Sequence, residues 1–457
     1  MKIKLKEETI LFISVVKWVI LASVIGIIVG LSTTVFLKAL NWSVAFTKQQ
    51  PFYFFILPVG LFLSVVLTKY LAPDAQGHGT EKVIEAVHKH SGKINAAVVP
   101  VKVLATIITL ASGGSAGKEG PCAQIGAGLS SIFADLFRFS ESERKKLVIC
   151  GISGGFAAVF GTPIAGAIFG VEVLFAGSIL YDVLLPSFIS GIMAYQVSKF
   201  FGITYFYYPL KFAYVFSGFF FLKVVLAGLF LGICSLFLIE ALNFGSKLSE
   251  RIKIWEPLKG ILGGTLLIVL ALIFSKQYLG LGLDTIELSL TGGNIVWYAF
   301  ILKIIFTMIT LSLGGSGGII TPIFFIGATA GSFFAVTMGL DKATFAAIGL
   351  VGLLAGATNT PIAASIMGME LFGPQIAPYA AVACVISFLI SGHRSVYPSQ
   401  ILAIRKSSSV DVETGKEMEG IFMRAEPRSK SLSGKVFKIV RFLIKILNKK
   451  RRWGRVS

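Results

Sequence analysis

Apolar segments run through most of this chain, and several of them are too short to cross a lipid bilayer. A transmembrane helix needs about 20 residues to cross a hydrocarbon core of about 30 Å, yet the stretches 97–112, 145–160 and 361–372 are shorter. Glycine and proline interrupt the apolar sequence, as in GGSAGKEGP and GGSGGIITP. Irregular backbone persists at membrane depth only where it is buried in protein or lines water. The breaks are therefore predicted to converge on an internal polar site, as in transporters built from broken helices.

The composition supports a membrane protein. Only 14% of the 457 residues are charged and 55% are hydrophobic, whereas a soluble domain carries about 25% charged residues. This excludes a disordered chain, a nucleic-acid-binding domain and an ordinary cytoplasmic enzyme, and it predicts a polytopic α-helical membrane protein. A β-barrel is disfavoured because its strands alternate and lack long apolar runs. The four cysteines have no CxxC spacing, so neither disulfides nor a metal site is indicated.

Basic residues flank the apolar body. The net charge is +19, and the tail from Ala403 to Ser457 holds 15 lysines and arginines against 5 acidic residues. The N-terminal MKIKLKEE precedes an apolar stretch from about Val16 to Leu40, which lacks a small-residue cleavage site and is predicted to be a first transmembrane helix. Because positive flanks mark the cytoplasmic side, both termini are predicted to be cytoplasmic, in an integral protein of the cell inner membrane.

Four regions are predicted along the chain. They are a cytoplasmic N-terminus at 1–16, a first membrane repeat at 17–205, a second membrane repeat at 206–405 and a basic cytoplasmic tail at 406–457. Within the tail, Lys435–Lys449 carries basic residues at spacings of three and four with apolar residues between them. This pattern predicts an amphipathic helix that lies on anionic lipids of the inner leaflet. A helix that binds a partner protein is the alternative.

Two sequence blocks recur about 200 residues apart. Gly113–Ala127 matches Gly314–Ala328 at 8 of 15 positions, and Thr162–Glu172 matches Thr360–Glu370 at 7 of 11. The blocks keep the same order, and their offsets of 201 and 198 residues nearly agree. The chain is therefore an internal duplication. Membrane transporters often place their substrate site between two such repeats.

A carboxylate marks a point where the two repeats differ. Glu119 stands where the second copy has Ile320, and an acid inside a membrane is functional by default. Gly117 and Gly120 free the backbone, and the proline that follows suits a first helical turn, so a helix is predicted to begin near Glu119. The block Gly317–Pro322 predicts a second start. Two helix N-termini that point inward form an anion site without a full positive charge; the alternative is that these glycines only permit close helix packing.

Four short motifs resemble signatures of the CLC family of chloride channels and chloride/proton antiporters. Gly117–Pro121 (GKEGP) is similar to that family's G-(K/R)-E-G-P, and Gly318–Pro322 (GIITP) to its G-x-F-x-P. Gly77–Thr80 (GHGT) stands where the family has G-S-G-x-P, and Tyr397 stands where it has an anion-coordinating tyrosine. The resemblance extends over about residues 17–405 and keeps the order of the motifs.

The resemblance implies an all-α polytopic membrane protein with two inverted-topology repeats of broken, tilted helices, assembled as a homodimer with one anion pathway per subunit. It implies that Glu119 is the gate: its ionised carboxylate would occupy an anion site, and its protonated form would swing out. The anion-binding residues that it implies are His78, Gly79, Gly117, Gly120, Ile319, Ile320 and Tyr397. Bound chloride is expected, and no other cofactor or metal.

The first departure from the family pattern is His78, which replaces a serine. A serine offers one hydroxyl donor, whereas histidine is larger and donates either as a neutral ring or as a cation. One prediction is a changed anion preference or an added pH dependence. The other is that the side chain turns away and the backbone N–H of His78 serves the anion. The family's proline is missing after Gly79, where Thr80 and Glu81 follow, which predicts a locally different loop.

The second departure is Val173, at the position where antiporters of the family usually carry an internal proton-transfer glutamate. Without a titratable group there, protons lose a stepping stone, which favours a passive channel or a weakly coupled exchanger. Water or Glu172 would be the replacement in a proton pathway. The other interpretation of Glu172 is structural, because Glu370 has the same place in the second repeat.

One lysine, Lys102, lies inside an apolar run. An unpaired ammonium group there is costly. We therefore expect Lys102 to pair with Glu81 or Glu85, and a position near a water-filled vestibule is the alternative.

The function that the sequence predicts is chloride permeation gated by Glu119, either as a passive channel or as a weakly coupled chloride/proton exchanger. One alternative is a transporter for another anion, such as fluoride or nitrate, which His78 suggests. An alternative of another class is a membrane-embedded enzyme or a scaffold. An enzyme would need a Ser/His pair or an H-E-x-x-H motif within the membrane, and the sequence shows neither, so the chain is not expected to be an enzyme.

Overall fold

The computed structural model describes residues 2–205, 207–209, 218–421 and 426–427. Within these ranges it has sixteen α-helices, α1 to α16: Lys2–Lys48, Leu57–Leu71, Thr80–Lys89, Val98–Ala111, Glu119–Leu136, Glu141–Phe160, Pro163–Glu172, Leu184–Phe200, Gly218–Arg251, Glu256–Ile273, Leu283–Leu290, Ala299–Ser312, Ile320–Met338, Lys342–Thr358, Pro361–Phe372 and Ala377–Ile390. Short 3₁₀ helices lie at Tyr53–Ile56, Pro73–Ala75, Tyr181–Val183, Lys276–Tyr278 and Pro374–Ile376. The strands β1 to β4 are Phe175–Ala176, Ile401–Leu402, Val410–Asp411 and Glu426–Pro427, which pair β1 with β2 in parallel and β3 with β4 in antiparallel fashion. The amphipathic helix predicted at Lys435–Lys449 lies outside the described residues.

Five helical stretches of the described chain are long and apolar enough to cross a membrane. They are Lys6–Lys48, Tyr53–Leu71, Gly218–Arg251, Glu256–Ile273 and Ile320–Met338. Further apolar helices of the described chain have 10–17 residues, fewer than the about 20 that a span needs, as the glycine and proline breaks predicted. The prediction of an all-α membrane protein with broken helices is confirmed.

The first helix is longer than the sequence predicted. Its apolar part suggested a helix from about Val16 to Leu40, but α1 covers 47 residues, from Lys2 to Lys48. Neither proline nor a glycine pair interrupts this region, and lysine, leucine and glutamate, which dominate its beginning, are good helix formers. An ion pair joins Lys17 of α1 to Glu143 in the first turn of α6. This contact joins α1 to the start of α6.

The two halves of the chain repeat helix by helix. The starts of α4 and α12, and those of α5 and α13, are 201 residues apart, and those of α7 and α15 are 198 residues apart. Where the halves meet, the equivalent residues Gly117 and Gly318 exchange two backbone hydrogen bonds of 2.6 Å in an antiparallel bridge. An antiparallel exchange between equivalent residues places a local two-fold axis between them. This is the symmetry that two inverted repeats require.

Paired glycines allow the central helices to pack closely. A Cβ atom at Gly126 would lie 2.5 Å from the carbonyl oxygen of Gly151, where α5 crosses α6. The equivalent crossing of α13 and α14 has the same arrangement, because a Cβ at Gly327 would lie 2.4 Å from the carbonyl oxygen of Gly349. Small residues at such crossings let helix backbones approach each other. These glycines serve packing, and they hold α5 and α13 so that the N-termini of both helices meet at the Gly117–Gly318 bridge.

Candidate functional site

The helices α5 and α13 begin beside the central bridge, at Glu119 and Ile320. Both predicted helix starts are confirmed. A Cβ at Gly117 would lie 2.4 Å from Glu119 Oε2, and a Cβ at Gly318 would lie 2.7 Å from the amide nitrogen of Gly120. These two glycines are therefore needed where the helix ends and the carboxylate approach each other.

The carboxylate of Glu119 lies on the N-terminus of α13. Only 1% of Glu119 is exposed. The amide of Thr321 donates to Glu119 Oε2 over 3.1 Å, and the Thr321 hydroxyl donates to Oε1. The free N–H groups and the positive dipole end of a helix favour an anion at this point. The carboxylate thus occupies a place that suits a small anion.

Thr321 is a site residue that the sequence analysis missed. It stands where the first repeat has Gly120, between apolar Ile320 and Pro322. A hydroxyl in an otherwise apolar first turn was the available signal, since threonine and serine side chains bind anions and cap helix ends. The predicted donors Ile319 and Ile320 belong to the same helix end: Ile319 precedes α13, Ile320 is its first residue, and both are buried.

A cavity of about 470 Å³ adjoins the Glu119 carboxylate. Glu119 and Thr321 are among its lining residues, and Lys118 adds a positive charge. Aromatic rings form much of the remaining wall, namely those of Phe160, Tyr205, Tyr207, Tyr208 and Phe324. The carboxylate therefore faces an open space into which it could move without displacing the helices.

The other predicted anion-binding residues are His78, Gly79 and Tyr397, and the loop with His78 and Gly79 packs against Gly120. A Cβ at Gly79 would lie 2.4 Å from the Gly120 carbonyl oxygen, and a Cβ at Gly120 would lie 3.1 Å from the His78 carbonyl oxygen. The ring centroids of His78 and Tyr397 are 6.1 Å apart. Two buried polar atoms, His78 Nδ1 and the Tyr397 hydroxyl oxygen, have no hydrogen-bond partner within the described part of the chain. Buried polar atoms are nearly always paired, so a water molecule or another polar group would fit beside these two.

Comparison with known proteins identifies the family. The sequence profile described as "Voltage gated chloride channel" matches residues 59–392. The chain belongs to the CLC family. It is 34% identical to a "Chloride/fluoride channel protein" of Pseudomonas syringae pv. tomato over 87% of this chain and 89% of that protein. It is 30% identical to a "Voltage-gated ClC-type chloride channel ClcB" of Shigella flexneri over 69% of this chain and 77% of that one.

A solved structure described as a CLC-type fluoride/proton antiporter matches this CLC protein with a TM-score of 0.81 at 30% sequence identity. The match covers 84% of this chain and 98% of the antiporter chain. Members of the CLC family are channels or antiporters for anions, not enzymes. The chain is thus an integral membrane protein for anion transport.

The prediction that Lys102 of this CLC protein pairs with Glu81 or Glu85 is wrong. The ammonium group donates to two backbone carbonyls, that of Ala75 over 3.0 Å and that of Gly77 over 2.6 Å. Glu85 pairs with Lys82 and Lys89 instead. Ala75 ends the 3₁₀ helix Pro73–Ala75 and Gly77 lies in the loop after it, so backbone carbonyls rather than an acid bind the ammonium group. Lys102 therefore stabilises the backbone immediately before His78.

The second CLC repeat contains the same arrangement. Lys303, 201 residues after Lys102, donates to the carbonyls of Tyr278 over 3.1 Å and Gly280 over 2.8 Å. Its loop reads Gly280-Leu-Gly282, where the first repeat reads Gly77-His-Gly79. The two lysines therefore stabilise equivalent loops in the two repeats. The loops at 77–79 and 280–282 differ in their middle residue, which is polar His78 in the first and apolar Leu281 in the second.

Glu172 has a structural place in this CLC fold. Its carboxylate accepts hydrogen bonds from the amides of Ile362 (3.1 Å) and Ala363 (2.8 Å) in the first turn of α15. In the same way, the Glu370 carboxylate accepts hydrogen bonds from the amides of Ile164 (3.0 Å) and Ala165 (2.8 Å) in the first turn of α7. Reciprocal capping across the two-fold axis favours the structural interpretation of Glu172. Val173 follows it, fully buried, with its carbonyl bonded to Gln400 Nε2 at 2.9 Å.

Replacing Gly79 with alanine is expected to abolish anion transport by this CLC protein. Gly79 has φ +35°, and the new Cβ would lie 2.4 Å from the Gly120 carbonyl oxygen, so the loop would have to move away from α5. Gly77→Ala is the matched control, since Gly77 also has positive φ (+75°) but nothing lies within 4 Å of its Cβ position. The control should lose only about 1–2 kcal/mol of stability and keep its flux in proteoliposomes. Equal fluxes of the two variants would contradict the close packing at Gly79.

Proposed function

We propose that this CLC protein moves a halide ion across the membrane through a pathway gated by Glu119, as a weakly coupled halide/proton exchanger. The observation that carries the proposal is the position of the Glu119 carboxylate, on the N-terminus of α13 and in the wall of a cavity. Ionised, the carboxylate takes the place of the anion and is held there by the amide and hydroxyl of Thr321. Protonated, it loses the charge that the helix end favours, and the cavity receives it.

We infer that the preferred halide is fluoride. Fluoride is the smallest halide and the most strongly hydrated, so a site that strips its water must return several strong hydrogen bonds. The His78 ring is an available donor, because Nδ1 has no partner within the described chain. The Tyr397 hydroxyl, which interacts with the Thr80 side chain, is a second donor near the His78 ring. The similarity to proteins named for fluoride supports this choice.

Chloride is the second candidate. The segment Gly117–Pro121 resembles the CLC signature of chloride transporters, and the protein of Shigella flexneri is named for chloride. A chloride ion makes weaker hydrogen bonds and needs a wider site. His78 in place of a serine narrows the space beside Tyr397, which favours the smaller ion.

The proposal also covers the oligomeric state of the protein, its membrane and its orientation. We propose a homodimer in the cell inner membrane, with both termini in the cytoplasm and the basic tail on anionic lipids. Large apolar side chains are exposed along α1 and α9, among them Phe12, Trp42, Phe219 and Phe237. Such surfaces require lipid or another subunit.

The test is ion efflux from proteoliposomes that contain the purified protein, with fluoride or chloride and external pH recorded together. We expect fluoride efflux at least about tenfold faster than chloride efflux, a difference of about 1.4 kcal/mol, accompanied by proton uptake. His78→Ser should reduce this ratio by removing the ring. Faster chloride than fluoride would replace the inferred halide by the second candidate. Movement of neither ion would overturn the proposed function.

A further inference from the structure

Glu81 is a carboxylate that the site described above does not use. Its Oε1 accepts two hydrogen bonds from Ser399, one from the amide over 2.9 Å and one from the hydroxyl over 2.5 Å. Its Oε2 is buried and has no partner within the described chain. Lys102, for which Glu81 was a predicted partner, binds backbone carbonyls instead. Half of a buried carboxylate is thus left free for a proton or a water molecule.

Glu81 lies between the anion residues and the segment around Val173. It is in the first turn of α3, two residues after Gly79, and its partner Ser399 lies two residues after Tyr397. The next residue, Gln400, donates to the Val173 carbonyl over 2.9 Å. The far end of α3 is held on the same side, because His88 Nε2 lies 3.0 Å from the Leu174 carbonyl oxygen. A carboxyl group therefore borders the region of Val173 although position 173 itself has none.

The far end of α3 also reaches the chain that follows the last membrane helix. Lys89 forms an ion pair of 2.9 Å with Glu417. The side chain of Glu81 is partly exposed, while its Oε2 is buried. The carboxyl group thus lies on the side of the protein that carries the C-terminal segment, at the border between solvent and the anion residues.

The surroundings of Glu81 suit proton exchange near neutral pH. Burial raises the pKa of its carboxyl to about 7, in opposition to the two hydrogen bonds from Ser399, which lower the pKa. On its own helix, the Glu85 charge raises the pKa and the Lys82 charge lowers it. A titratable group that interacts with Glu81 from the segment after α16 is Tyr397, which also feels the charge of Glu119 on α5. On α6, Lys145 is near His88 at the far end of α3. An ordinary exposed glutamate, with a pKa near 4.3, would stay ionised at neutral pH.

We propose that Glu81 is the proton acceptor on the C-terminal-segment side of the anion pathway. Hydronium on that side passes its proton through a water molecule to Oε2, which leaves water and a neutral carboxylic acid. The acid then gives the proton to water in the pathway and becomes a carboxylate again. The Glu119 carboxylate takes up that proton, and Glu119 leaves its seat on α13. This inference rests on the proposed function and adds the entry point for protons.

The test compares Glu81→Gln with the unaltered protein in proteoliposomes, under a halide gradient with external pH recorded. We expect halide flux within about twofold of the unaltered protein and a proton-to-halide ratio at least about tenfold lower. Glu85→Gln is the matched control, since it removes the same charge from the same helix, four residues away, and should keep the ratio. Glu81→Asp should keep part of the proton movement, because a carboxyl remains.

A second measurement separates a relay from a merely structural carboxyl. Ser399→Ala removes the hydroxyl bond to Oε1, so the pKa of Glu81 should rise. The midpoint of proton-coupled flux should then move by about one pH unit toward alkaline pH, the size expected for one hydrogen bond to a charged group. Proton movement that persists in Glu81→Gln would overturn the inference while the proposed halide/proton exchange stands. Halide flux without protons in the unaltered protein would overturn both the inference and the exchange, and would leave passive halide transport. A lack of halide flux in the unaltered protein would overturn the proposed function instead.

Discussion

Glu119→Gln is expected to leave a pathway that conducts halide but no longer responds to pH. Glutamine has the shape of glutamic acid and cannot ionise. The negative charge that the N-terminus of α13 stabilises is therefore absent at every pH. The amide and hydroxyl of Thr321 lose their anionic partner, and the side chain is free to turn into the cavity. Halide efflux should equal or exceed that of the unaltered protein at neutral pH. Proton movement should fall by about a hundredfold or more, since the carboxyl that carries the proton is gone.

Glu172→Gln is the control for Glu119→Gln. Glu172 is also a buried carboxylate that lies on the N-terminus of another helix, α15, through two backbone amides. Its loss should lower the unfolding temperature of the detergent-solubilised protein without changing the proton-to-halide ratio. A Glu119→Gln variant that is folded and moves no halide would contradict the gate, because removal of a blocking charge cannot close a pathway. An unchanged pH dependence would contradict it as well.

The sequence predicted the features that repeat or that break a helix. The matching blocks at 113–127 and 314–328 predicted two equivalent helix starts, and α5 and α13 begin there. Glycine and proline have strong local consequences for the backbone, so their positions translate directly into helix ends. The same blocks, through Gly117 and Gly318, form the bridge on the two-fold axis.

The partners of charged side chains could not be predicted in the same way. The bonds from Lys102 to the Ala75 and Gly77 carbonyls, and from Glu172 to the amides of α15, join positions that only the folded chain brings together. Sequence arguments about a buried charge look for the opposite charge, whereas backbone groups at loops and helix ends satisfy charges equally well. Thr321 was missed for the same reason, because its value depends on the carboxylate that reaches it from the other repeat.

The two symmetric lysines allow a test of how much a buried charge contributes to anion binding. Lys102→Met and Lys303→Met remove the same ammonium group from equivalent helices, and each leaves two loop carbonyls without that donor. A lost hydrogen bond to a charged group costs about 1.5–3 kcal/mol. Both variants should therefore lose stability by similar amounts in thermal unfolding.

Only Lys102→Met is expected to weaken halide binding as well. Lys102 holds the loop that ends in His78 and Gly79, and its positive charge acts on His78, whereas the loop held by Lys303 carries Leu281 at the equivalent position. At an effective dielectric constant of about 20, a unit charge about 10 Å away contributes about 1–2 kcal/mol. The halide dissociation constant of Lys102→Met should therefore rise about tenfold, while that of Lys303→Met should change less than about twofold. Isothermal titration with fluoride measures both constants. Equal weakening in the two variants would mean that the loop geometry, and not the Lys102 charge, sets the affinity, and the symmetric scaffold would then contribute to binding equally from both repeats.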